Sequence, residues 1–264
     1  MLHAKKSLGQ NFLKSDEIVE KIIYTANVTQ NDVILEIGPG KGKLTRKLLE
    51  KASRVIAVEK DDMLFEFLKE KFHEEIKNNK LELINEDILK FNLNSYSLKN
   101  KQYKIVANIP YYITGQLLRI FLQNDIQPSM MVLMLQKEVA ERIITYKGST
   151  FVKESLLSVS VKVYGEPVYI KTVPAKYFSP QPKVDSAILL IKNISKNFFE
   201  ENKINEEEFF KFVKQGFSQK RKMLSNNLKE FSFNKEDFDK LKISPKVRAE
   251  DLSIEDWKNL YLNI

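Results

Sequence analysis

Cysteine is absent from the 264 residues, which removes disulfides, thiolate metal sites and thiol nucleophiles together. Histidine is nearly absent too. The two present, His3 and His73, cannot build a multi-histidine centre, so no metal site is expected. No apolar run approaches the roughly 20 residues of a membrane span. The segment from Met1 to Lys6 also lacks the apolar core of a secretory signal. A cytoplasmic protein without a membrane partner is the expectation. What the chain has in excess is positive charge: 43 Lys and Arg against 35 Asp and Glu, a net charge of +8. Such an excess suggests a polyanionic partner. The charge is clustered, at Lys5 and Lys6, between Lys41 and Lys47, and at Lys220, Arg221 and Lys222.

After residue 30, short β-branched runs alternate with helical periodicity. Strands are expected over 33–37, 54–59, 81–85, 104–107 and 130–135, with helices over 43–51, 61–76, 115–122 and 137–144. Residues 168–173 and 186–191 flank a proline-rich turn and resemble an antiparallel pair at one end of the sheet. The pattern predicts an α/β, doubly wound, mostly parallel sheet with right-handed crossovers. Near Ile194 the β-branched runs stop. Segments rich in Glu, Lys and Phe follow, with helices expected over 206–215, 221–228, 235–240 and 254–262. We therefore divide the chain into residues 1–195 and a small all-helical domain, 196–264.

Gly38, Pro39, Gly40, Lys41 and Gly42 follow the first strand and open a helix. Glycines there let a ligand approach the backbone, and the helix N-terminus offers unpaired N–H donors. Glu59 ends the second strand about 20 residues on, where a carboxylate can accept both hydroxyls of a ribose. Lys43 stands where a dinucleotide fingerprint requires its last glycine, which disfavours a nicotinamide or flavin dinucleotide. The run Glu36-x-Gly38-x-Gly40-x-Gly42 instead resembles the class I methyltransferase signature, which implies S-adenosyl-L-methionine. In such folds the acid closing the third strand, Asp87, meets the adenine amino group, with Ile88 against the ring.

Asn108, Ile109, Pro110 and Tyr111 end the fourth strand, and Pro110 cannot extend a ladder. An exocyclic adenine nitrogen is a poor nucleophile because its lone pair is delocalised into the ring. The Asn108 side-chain oxygen and the Ile109 carbonyl could bind both amino hydrogens and favour a pyramidal nitrogen, so that positioning and electrostatics carry the catalysis. Tyr111 would stack on the extruded base. This tetrapeptide resembles the motif of amino-directed adenine methyltransferases. Phe178, in a loop stiffened by three prolines from Pro174 to Pro182, is expected at the cleft mouth as a second aromatic. Lys183 is expected near RNA phosphate.

Together these segments resemble the KsgA-type small-subunit ribosomal RNA adenine dimethyltransferases. The likeness runs from Lys6, Ser7, Leu8, Gly9, Gln10, Asn11, Phe12 and Leu13 to the last helix. It implies that residues 1–30 form a lid and a helix, and that Asn11 and Leu13 join Gly38, Gly40, Glu59, Asp87, Ile88 and Asn108 as cofactor contacts. It also implies that residues 1–195 form the catalytic domain, and that Lys220, Arg221 and Lys222 dock on small-subunit RNA by salt-sensitive phosphate contacts. The implied reaction dimethylates N6 of two adjacent adenosines near the 3′ end of 16S ribosomal RNA, during small-subunit biogenesis. The expected partner is the partly assembled small subunit, and a monomer is expected. Two rivals are the resistance-conferring adenine methyltransferases of the large subunit (23S) and non-catalytic relatives such as mitochondrial transcription factors. The segment from Pro180 to Ala187 and the motifs around Lys220 and Arg248 favour the small-subunit type. The intact Asn108 tetrapeptide favours an enzyme.

Overall fold

Runs of isoleucine, valine and leucine bounded by Gly, Asp or Asn become parallel strands covered on both faces. A computed structural model describes residues 4–5, 8–147, 150–151, 153–231, 235–244 and 246–263. Lys6 and Ser7 of the N-terminal motif lie outside the described residues. Seven strands form one sheet: β1 Val33–Ile37, β2 Arg54–Glu59, β3 Leu81–Asn85, β4 Tyr103–Asn108, β5 Met130–Gln136, β6 Glu166–Val173 and β7 Ser186–Lys192. Their order is β3-β2-β1-β4-β5-β7-β6. The first five run parallel, with Glu59 level with Asn85 and Ile105 level with Met131. β7 is antiparallel to both β5 and β6, as expected for the proline-linked pair.

The chain forms two compact units, residues 1–140 with 166–194, and residues 141–165 with 195–264. Residues 141–165 thus group with the C-terminal segment, which corrects the division at 195. The helix Leu156–Lys162 buries Val159 and Val161, and the Tyr164 carbonyl accepts from Ser195 N at 2.7 Å. These contacts outweigh chain continuity with β5. Among the described residues, 196–264 carry only helices, as expected; the short pair Tyr146–Lys147 with Thr150–Phe151 lies in the other part of the second unit.

In the first unit, the helix Asp16–Thr25 starts at Ser15, whose hydroxyl accepts from Ile18 N, and it buries Ile18, Val19, Ile22 and Ile23. Two-residue strands Phe12–Leu13 and Phe178–Ser179 pair antiparallel. The helix expected over 61–76 is two pieces, Asp62–Lys71 and His73–Lys77, broken at Phe72. The Phe72 ring turns inward against Gly42, where a Cβ would lie 2.5 Å from it.

The second unit's core is aromatic: Phe199, Phe209, Phe212 and Trp257 are buried. Trp257 meets Phe212 edge-on at 5.9 Å and stacks on Phe217 at 5.5 Å. The helix expected over 221–228 forms only at Leu224–Asn227, because Leu224 N is taken by the Val247 carbonyl at 2.8 Å. Gly216, ending the helix Glu206–Gly216, lies flat against Trp257, and a Cβ there would run into the indole. Gly216→Ala is therefore expected to destabilise the protein by roughly 1–3 kcal/mol through overpacking, read as a lower midpoint in urea.

Candidate active site

Sheet order reverses between β1 and β4, so the chain leaves their carboxyl ends in opposite directions and opens a crevice there. A cavity fills it. Its walls are the glycine loop after β1, Glu59, Asp87 and Ile88, the turn from Asn108 to Tyr112, and the strap Leu8 to Leu13. The structure thus brings Asn11, Leu13, Gly38, Gly40, Glu59, Asp87, Ile88, Asn108, Ile109, Pro110 and Tyr111 to one cavity.

The loop is glycine for two physical reasons. Gly40 has φ +59° and faces the Phe12 ring, which a Cβ would approach to 3.1 Å. Gly42 has φ +72° and no room against Phe72 and Leu68. Lys41, between them, places its ammonium 4.8 Å from the Phe12 ring centre.

Three acids converge. Glu59 accepts Gly40 N at 3.1 Å through Oε2 and Asp61 N at 2.9 Å through Oε1. Burial raises its pKa, and those backbone donors oppose the rise. Asp87 accepts Leu89 N at 3.1 Å and Lys60 Nζ at 2.8 Å. Burial pushes its pKa up, but the Lys60 and Leu89 hydrogen bonds outweigh it, so its carboxyl is held below the usual range. Glu36 is 1% exposed, and its Oε2 has no hydrogen-bond partner among the described residues. Burial pushes its carboxyl up to about 8, with the Glu59 charge adding to the rise and Thr45 opposing it.

At the fourth strand's end, Asn108 Nδ2 donates to the Asn11 carbonyl at 3.2 Å. Among the described residues nothing engages its Oδ1. Ile109 N donates to the Met134 carbonyl at 3.2 Å, continuing the bond pattern past the strand. The Tyr111 hydroxyl lies 2.7 Å from Ser186 Oγ, and the Thr114 hydroxyl donates to the Tyr111 carbonyl at 3.0 Å. Tyr111 is therefore half-buried and pinned at both ends.

Phe178 does not stand at the cleft mouth. It is 1% exposed, paired with Leu13, and part of the hydrophobic core. The two-residue ladder turns its ring inward, so packing claims it. The aromatic at the cavity rim is Tyr112, 61% exposed, whose ring lies beside Gly9. Lys183 is exposed on the turn before β7, in the first unit. Lys220, Arg221 and Lys222 are exposed in the turn before Leu224–Asn227, in the second. Sequence reasoning assigned nothing to Lys60, Asp61 or Tyr112 and gave Glu36 no role beyond its motif. Only Asp61 left a trace, as a cap residue before a helix; the buried orphan oxygen of Glu36 has no sequence signature.

The fold is that of the class I methyltransferases. A solved dimethyladenosine transferase from Plasmodium falciparum superimposes with a TM-score of 0.78 at 29% identity, covering 96% of each chain. The 23S rRNA methyltransferase ErmE shares the fold at 24% identity and a TM-score of 0.74. The pattern defining the ribosomal RNA adenine dimethylases matches residues 1–264, and the chain belongs to that family. It is an S-adenosylmethionine-dependent RNA adenine methyltransferase. A relative from Dehalococcoides mccartyi, named ribosomal RNA small subunit methyltransferase A, is 41% identical over 99% of this chain and 88% of its own length. A relative of the same name from Mycoplasmopsis pulmonis is 39% identical over 100% of both chains.

Among the described residues, no helix is long and apolar enough to cross a membrane, and no cluster of three or more His, Cys, Asp or Glu could hold a metal ion.

Proposed function

We propose that this chain transfers methyl groups from S-adenosylmethionine to N6 of two adjacent adenosines near the 3′ end of 16S ribosomal RNA, during assembly of the small subunit. The observation carrying this reading is the orientation of Asn108, whose amide is tied back to Asn11 so that its oxygen is left as an acceptor on the cavity. The 39–41% identity to relatives named for the small subunit favours that substrate. The solved large-subunit enzyme is 24% identical, a likeness that speaks for the fold and favours neither substrate.

The residues present fit the cofactor. It is a cation bearing a ribose and an adenine, and the cavity holds a buried carboxyl with an orphan oxygen, two further acids and a glycine floor. Glu59 would hold the ribose hydroxyls, Asp87 the adenine amino group and Ile88 the ring face. Leu13, Asn11, Gly38 and Gly40 would border the methionine end. When bound, the sulfonium supplies an electrophilic methyl group.

The remaining work falls to this chain. In the first transfer Asn108 Oδ1 and the Ile109 carbonyl accept the two amino hydrogens of the target adenine and turn its lone pair toward the cavity; in the second, one of them accepts the single hydrogen that the monomethylated amine retains. Pro110 ends strand pairing so that both acceptors face the ligand. Tyr111 offers its ring face to the base, held still by Ser186. The nitrogen sheds its proton after attack, so no strong base is required beforehand. Lys183 in the first unit and Lys220, Arg221 and Lys222 in the second contact RNA phosphates. The enzyme acts as a cytoplasmic monomer on the partly assembled subunit.

To test the reading, the protein is incubated with labelled cofactor and small subunits lacking the modification, and the label is mapped. Dimethyladenosine at two adjacent positions near the 3′ end of the small-subunit RNA is expected. Label confined to large-subunit RNA would overturn the assignment.

A further inference from the structure

A buried acid outside the expected cofactor set organises the strap. Asp61 is 3% exposed and sits two residues past Glu59. Its Oδ1 accepts Met63 N at 3.0 Å, capping the helix Asp62–Lys71. A cap needs one oxygen and one local donor. Asp61 does more: Oδ1 also takes Lys5 Nζ at 2.8 Å, and Oδ2 takes Gln10 Nε2 at 2.8 Å. Both partners come from the chain's far N-terminal strap. Gln10 is locked in turn, because its Oε1 accepts Lys5 N at 2.8 Å.

The strap is held at its other end as well. Lys14 N donates to the Tyr177 carbonyl at 2.8 Å, and Leu13 pairs with Phe178. Between the two anchors lies Asn11. Its side chain bonds back to the Gly9 carbonyl at 3.1 Å, and its own carbonyl receives Asn108 Nδ2. An Asn amide can rotate to present either oxygen or nitrogen. With the Asn11 carbonyl fixed in front of it, only the nitrogen is satisfied on that side, and the oxygen is turned toward the cavity.

We propose that Asp61 is a positioning residue for methyl transfer: it fixes Lys5 and Gln10 so that the Asn11 carbonyl sets the Asn108 amide with its oxygen toward the target amine. This rests on the reading of Asn108 given above. Burial raises the Asp61 pKa while the Lys5 and Gln10 hydrogen bonds more than offset it, so the group is charged at neutral pH and needs both partners.

Asp61→Asn separates the latch from the cap, because asparagine is as good an N-cap as aspartate. It removes the Lys5 ion pair and sets an amide nitrogen against Gln10 Nε2. The saturating single-turnover rate is expected to fall about tenfold or more, the range of a lost charge-assisted hydrogen bond. RNA affinity should be unchanged. In the double variant Asp61→Asn with Gln10→Glu, the new carboxylate accepts from the introduced amide and from Lys5, and most of the rate should return. A merely structural role would lower the melting temperature while leaving the saturating rate and the Asn108 amide unmoved. NMR of the Asn108 side-chain amide, in the protein without RNA, supplies a readout independent of activity. Its resonances should shift in Asp61→Asn and revert in the double variant. A single-variant rate within twofold of wild type, or unshifted resonances, would overturn the proposal. If the wild type methylated no adenine but the resonances moved as described, the functional reading would fail while the positioning chain stood.

Discussion

Asn108→Ala is expected to lower methyl transfer by about 10²–10³-fold, the size seen when one preorganised polar group is removed from a transition state. RNA affinity should stay within a factor of a few. What decides the size of the effect is which state of the substrate the amide recognises. A planar adenine amine presents two hydrogens in the ring plane and no usable lone pair. As the nitrogen turns pyramidal, the hydrogens swing out of plane and the lone pair localises. An acceptor placed for the pyramidal form stabilises the attack more than the bound ground state, so its loss should appear in the rate and not in binding. Asn108 is placed by its own donor group, Nδ2, on the Asn11 carbonyl at 3.2 Å. Asn108→Asp keeps an acceptor but sets a carboxylate against that carbonyl, so an intermediate loss is expected. Single-turnover rates with equilibrium RNA binding separate the two effects. A rate for Asn108→Ala within a factor of a few of wild type would remove the amide from the mechanism.

The parallel sheet and the strand-end positions of Gly38, Glu59, Asp87 and Asn108 were legible because each obeys a local rule. A β-branched run makes the strand, and a breaker or polar residue ends it where ligands bind. Register then does the rest: once β1 lies between β2 and β4, their carboxyl ends must share one cavity. Phe178 was not legible, since the same loop residue can face solvent or core. A two-residue pairing with Leu13 decided it, and that pairing spans most of the first unit. The grouping of residues 141–165 with the C-terminal segment is illegible for a related reason. The helix Leu156–Lys162 carries an ordinary apolar face, and nothing local says which core receives it. Helical spacing predicts a helix over 221–228, yet Arg221 and Lys222 lie in a turn. A long-range bond from Leu224 N to the Val247 carbonyl set the real start. Asp61 shows the same limit at the site itself, because a cap residue is visible in sequence and its partners at Lys5 and Gln10 are not.

Glu36→Gln is expected to remove most of the pH dependence of stability of the ligand-free protein between about pH 5.5 and 8. The Glu36 carboxyl is fully buried with an orphan oxygen, and burial pushes its pKa up to about 8 from 4.5. A group whose folded pKa is raised stabilises the fold below its unfolded pKa, and that contribution is lost as pH rises through the folded value. Glu59, also raised by burial, acts in the same direction. Asp61 and Asp87, both lowered, lose their contributions only under acid conditions, so they do not bear on the window from about pH 5.5 to 8. Across that window the wild type should lose about 2–3 kcal/mol, most of it from Glu36. Glutamine matches the neutral acid in shape and has no charge to bury, so the variant should be nearly flat and the more stable of the two at the upper end. Urea denaturation of both proteins at both pH values checks this, and equal slopes would remove Glu36 as the source. The same substitution should weaken cofactor binding at the upper pH by about tenfold, since a cationic ligand favours the ionised acid that burial alone disfavours. A residue that destabilises the free fold and strengthens the liganded one is retained for binding, and its cost to the fold appears only when no cation shares the cavity.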